Sequence, residues 1–100
     1  MRRGTTPTLT FGIGFDSDTI EILNIAFEQN NEIKLEKTLS DCILNGNNIV
    51  LPLSQLDTLA LSGSKSVNIQ LRIKKKNGDV IASEIMEGFV ERIIKDGELT

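Results

Sequence analysis

Asp16-Ser17-Asp18 is the most suggestive carboxylate cluster in the chain. Alternate Asp residues on a loop can open a calcium site, where oxygen ligands recur at every second position. Here the third ligand position falls on Ile20 and the turn glycine is missing. The cluster reads better as a turn whose Asp side chains accept backbone N–H bonds, because a general acid/base pair also needs a cleft. Gly12-Ile13-Gly14 invites comparison with a phosphate-binding loop, but the third glycine of a dinucleotide fingerprint would be residue 17, which is Ser17. Both glycines instead fall inside an alternating run, where glycine allows close backbone packing. Cys42 is the only cysteine, so no intramolecular disulfide and no paired-cysteine metal or redox motif can form. Histidine is absent, which removes Ser-His-Asp and Cys-His catalysis and imidazole metal ligation. The sequence therefore predicts no enzyme, no cofactor and no metal.

The remaining chemistry is charge. With 11 Lys+Arg against 14 Asp+Glu the formal net charge is -3, which argues against general nucleic-acid binding. Two basic clusters oppose this balance, Arg2-Arg3 and Arg72-Ile73-Lys74-Lys75-Lys76. No aromatic residue interleaves the second, as a base-stacking platform requires, so it reads as a solvated hairpin tip whose lysines block edge pairing. Trp and Tyr are absent, which weakens a carbohydrate site built on ring stacking. Three of the four phenylalanines, Phe11, Phe15 and Phe27, occupy core-facing phases, with Phe89 unassigned.

The elements that hold these residues are strands. In Ser66–Lys74, Val67, Ile69, Leu71 and Ile73 alternate with Asn68, Gln70, Arg72 and Lys74. Period two places the first set on one face and the second on the other. The pattern repeats in Leu9, Phe11, Ile13 and Phe15, and in Leu23, Ile25 and Phe27. Ile20 and Ile22 are out of phase with the latter set, which predicts a bulge near Ile22-Leu23. Shorter alternating pieces cover Glu32–Glu36 and Asn48–Leu53, with Pro52 marking an edge or an end. Asn30-Asn31, Asn45-Gly46 and Asn77-Gly78 supply hairpin turns. Ser54 is a candidate N-cap for a short crossover helix over 54–61, where Leu56, Leu59 and Ala60 have helical spacing. Val80–Ile85 continues the last hairpin. Phe89–Ile94 is either a final strand broken near Gly88 or a helical turn, with two-residue spacing favouring the strand.

About seven short strands with turns roughly every ten residues predict an all-β antiparallel β-sandwich of immunoglobulin-like architecture. The expected organisation is a flexible N-terminal tail over 1–7, one domain over 8–96 and a C-terminal tail over 97–100. No run approaches the roughly 18 apolar residues of a membrane span, and no apolar run follows Arg2-Arg3 as in a signal peptide. The expected compartment is a cytoplasm.

Several words in the sequence are distinctive: the opening 1–11, Phe27-Glu28-Gln29, Leu35–Thr38, Asp41-Cys42, Leu53–Leu59 and Val67–Arg72. Together they resemble small proteins of similar length encoded by phages and prophages of Gram-positive, often gut-dwelling, bacteria. The likeness spans nearly the whole chain and brings no catalytic motif. It implies a gene of the virion structural cassette, hence a tail, neck, baseplate or head module made in the host cytoplasm and then carried in the virion. Leu56 and Ala60 depart from the more polar residues expected there, which implies a buried corner helix or an apolar contact patch. The expected function is non-enzymatic protein–protein contact, with itself as a homo-oligomer or with other virion proteins, and with neither nucleic acid nor membrane. The candidate contact residues are Arg2, Arg3, Asn68, Gln70, Arg72, Lys74, Lys75 and Lys76. The alternative is a module that binds host-surface glycan.

Overall fold

Alternation drives most of the chain into strands, and the computed structural model, which describes every residue from Met1 to Thr100, contains eight. They are β1 (Thr8–Gly12), β2 (Ile20–Gln29), β3 (Glu32–Thr38), β4 (Ile43–Asn45), β5 (Asn48–Pro52), β6 (Lys65–Lys75), β7 (Val80–Ala82) and β8 (Met86–Val90). A short helix, α1 (Gln55–Leu59), lies between β5 and β6. One sheet runs β1-β5-β4; the other runs β3-β2-β6, with β7 and β8 both on the far side of β6. All strand pairs are antiparallel, and the protein is an all-β sandwich.

Each Asn-containing turn closes the hairpin expected of it. Asn30 and Asn31 both take positive φ (53° and 63°), as a type I′ turn between β2 and β3 requires. Gly46 (φ 59°) turns β4 into β5, and Gly78 (φ 96°) turns β6 into β7. Pro52 ends β5 in the middle of its sheet. Its missing N–H would point to the β4 side beyond Ile43, where β4 has not yet begun.

The core fills the space between the sheets with thirteen buried apolar residues, among them Leu23, Ile25 and Phe27 of β2, Ile49 and Leu51 of β5, and Val67, Leu71 and Ile73 of β6. Burying each such side chain contributes about 1.5–3 kcal/mol. The register shift in β2 falls between Ile20 and Ile22, one residue earlier than the phase break suggests. It lets Ile20 join the buried set while Ile22 stays 54% exposed.

Three expectations are corrected. The strand at 9–15 ends at Gly12, because Gly14 takes positive φ (78°) and bends the chain away from the ladder. The last strand is Met86–Val90, with Gly88 in its middle opposite Val67, and residues 92–94 form no strand. Between β7 and β8, three residues (83–85) face two on β6, an extra-residue bulge. The Leu71 N–H left over there donates to Ser83 Oγ (2.9 Å). Finally, the N-terminal residues are docked where a flexible tail was expected. Arg2 bridges Glu91 in parallel, with Arg3 N–H donating to the Glu91 carbonyl and Glu91 N–H to that of Met1 (both 2.9 Å).

Candidate interaction surfaces

The carboxylates nominated by spacing serve the turn. Asp16 Oδ1 accepts the Asp18 N–H (2.9 Å) and starts a 3₁₀ turn over Ser17–Thr19. Nowhere do three His, Cys, Asp or Glu side chains gather in a set that could hold a metal ion. The Cys42 thiol is half-buried and donates weakly to the Thr38 carbonyl (3.5 Å). Burial and the nearby Asp41 carboxylate push its pKa up, away from thiolate character.

The eight candidate contact residues lie in three places. Arg3 is committed to structure: its guanidinium donates to the carbonyls of Leu61 (2.9 Å) and Leu59 (3.0 Å) at the end of α1 and pairs with Asp96. Arg2 Nη1 donates to the Arg92 carbonyl (2.8 Å). This arginine pair belongs to the end of the molecule where β6 starts, whereas Lys74, Lys75 and Lys76 mark the other end of that 11-residue strand. At about 3.3 Å per residue the two basic clusters are some 30 Å apart and make no common patch. Lys75 lies over the Phe15 ring, 4.0 Å from its centre, while Lys74 and Lys76 are exposed.

Asn68, Gln70, Arg72 and Lys74 line the outer face of the larger sheet. Asn68 Nδ2 donates to Glu28 Oε1 (3.2 Å) and Gln70 Nε2 to the Ser83 carbonyl (3.0 Å), so the free cations are Arg72 and Lys74. The alternation in β6 shows this face as polar. The neighbouring strands add what it does not show: Ile22 (54% exposed), Val80 (59%), Ile33 (59%) and Ile85 (64%). They border two shallow grooves over Asn24–Arg72–Lys74 and over Ala26–Asn68–Gln70.

A third surface went unnoticed in the sequence. Between the two sheets, on the side where β1 and β7 are the edge strands, an apolar groove of about 350 Å³ stays open. Phe11, Ile13 and Phe15 form one wall, Leu71 and Ile73 the floor, and Ile81 and Met86 the other wall. Two of the phenylalanines assigned to the core therefore sit half-buried on its rim, and only Phe27 is fully buried. Phe89 is exposed on the outer side of β8. No neighbouring strand covers the outer edge of β1.

Buried polar groups hold these surfaces in position. Gln29 is 3% exposed and exchanges two bonds with Ser62, from Ser62 N–H to Oε1 (2.7 Å) and from Nε2 to the Ser62 carbonyl (2.9 Å). Its signal was a polar residue in the phase of Leu23, Ile25 and Phe27. Thr58, fully buried on α1, donates through Oγ1 to the Thr5 carbonyl (2.8 Å) and ties the N-terminal segment to the helix. Ser54 caps α1 as expected, sharing a capping box with Asp57. Leu56 faces outward at 63% exposure, so the helix buries Thr58 rather than Leu56. Asp57 also pairs with Lys37 of β3 (2.8 Å). Burial opposes ionisation of Asp57, but Lys37 and the Ser54 donors outweigh it and hold the carboxyl below its usual range.

No helix is long and apolar enough to cross a membrane. Comparison with protein-family models, with curated proteins and with solved structures finds no match to this chain.

Proposed function

We propose that this domain is a non-enzymatic, virion-associated phage protein that works through protein–protein contact, made in the host cytoplasm and carried in a tail, neck, baseplate or head. The phage setting comes from the sequence resemblance; the mode of action comes from the surface. One observation carries it: β1 presents an unpaired and uncharged edge beside an apolar groove of about 350 Å³. Unpaired edges are where another chain adds a strand, with backbone bonds supplying affinity and side-chain pockets supplying specificity. The outer face bearing Arg72, Lys74, Ile22 and Val80 is a second contact area of mixed character. Arg2 and Arg3 drop out of the contact set because their guanidinium groups serve the fold.

Quantitative mass spectrometry of purified particles from an induced lysogen tests this reading. The protein is expected at a fixed copy number relative to the other structural proteins. Its absence from particles, while it is abundant in the lysate, would overturn the virion assignment.

A further inference from the structure

The free edge of β1 has a phase that points to its occupant. In an antiparallel ladder, the N–H and C=O of a residue both face the paired strand or both face away. Ile13 N–H donates to the Asn47 carbonyl at one end of β1, and Leu53 N–H donates to the Pro7 carbonyl at the other (both 2.9 Å). These bonds turn the odd-numbered residues toward β5, so Thr8, Thr10 and Gly12 direct their donors and acceptors away from the sheet. The other free edges are shielded. β3 carries Glu32, Lys34, Glu36 and Lys37, β4 and β7 have three residues each, and β8 carries Glu87. Thr8-Leu9-Thr10-Phe11-Gly12 has no charge, no proline and no bulge.

We infer that β1 pairs antiparallel with β1 of a second copy across a two-fold axis at Thr10. This rests on the contact reading above and names the partner. The register sets Thr8 opposite Gly12 and Thr10 opposite Thr10, so all three outward-facing residues meet bonded equivalents. Leu9 and Phe11, both half-buried in the single chain, become a cross-strand apolar pair on the inner face. The two apolar grooves face each other across the axis, and the smaller sheets join as β4-β5-β1-β1-β5-β4. Both copies use the same patch, as a closed two-fold interface requires.

Light scattering across a concentration series, on the full chain, tests the pairing. The wild type is expected to approach twice the 11.0 kDa chain mass. Thr10→Pro removes an N–H that the fold does not use, and is expected to stay at the single-chain mass with unchanged far-ultraviolet circular dichroism. If that variant does not fold, the charge variants decide. T10K and T10E each set like charges together at the axis and are expected to be single chains, and an equimolar mixture is expected to regain the doubled mass. A dimer that survives T10K and T10E, or a mixture that stays at the single-chain mass, overturns the register. A wild type that stays monomeric yet is present in particles overturns self-pairing and leaves the contact reading standing; absence from particles overturns that reading alone.

Discussion

At the scale of single residues, buried polar groups do more positioning than the conspicuous charges. Replacing Gln29 by Leu leaves the Ser62 N–H and carbonyl without their partner in the interior. The expected loss is about 1–3 kcal/mol, read as a lower denaturation midpoint at unchanged slope. Asp57 gives the pH dependence a defined sign. Its folded pKa lies below the unfolded value of about 3.9, so its contribution is complete above that value and disappears as pH falls through the folded pKa. The stability difference between wild type and D57N is therefore expected to shrink below about pH 4 in acid titration followed by circular dichroism, and a difference that grows there contradicts the assignment. Gln29 was legible in principle, as a polar residue in an apolar phase. Arg3 was not, because its partners, the Leu59 and Leu61 carbonyls, lie more than fifty positions away and are fixed only by the crossover helix.

At the scale of elements, local chemistry was legible wherever it dominates. The three Asn-bearing hairpins and the Ser54 cap follow from conformations the chain adopts with few neighbours. Strand ends were misplaced where alternation runs past a glycine: β1 stops at Gly12 because Gly14 bends the chain, whereas β8 runs through Gly88, which pairs with the distant Val67. Alternation in β6 identified the polar face but not the exposed Ile22, Ile33, Val80 and Ile85 around it, since the first three come from strands whose own phase is broken or short and Ile85 from the bulge between β7 and β8. Glycine substitutions separate the two kinds of constraint. A Cβ on Gly63 would lie 2.8 Å from Arg92 Cα, a backbone atom that cannot swing aside, whereas one on Gly12 would meet Asn48 Oδ1 at an ordinary 3.6 Å. Gly63→Ala is expected to destabilise the fold by about 1–3 kcal/mol. Gly12→Ala is expected to change stability by less than about 0.5 kcal/mol. Thermal melts of the pair measure the contrast, and equal losses would mean that the approach of the 62–64 turn to Arg92 is not rigid.

At the scale of the whole molecule, a two-sheet sandwich with open sides cannot bury every apolar residue its strands carry. The side between β1 and β7 stays open, and the sequence is silent on this because openness belongs to the packing of sheets and not to any one strand. The most direct measurement of the claim that the molecule acts through its β1 edge is residue-resolved amide hydrogen exchange at low and high protein concentration. The Leu9 and Phe11 amides, already bonded within the sheet, should be protected at both. The Thr8, Thr10 and Gly12 amides should exchange freely when dilute and become protected as the chains associate. Association without protection of Thr8, Thr10 and Gly12 would contradict the account.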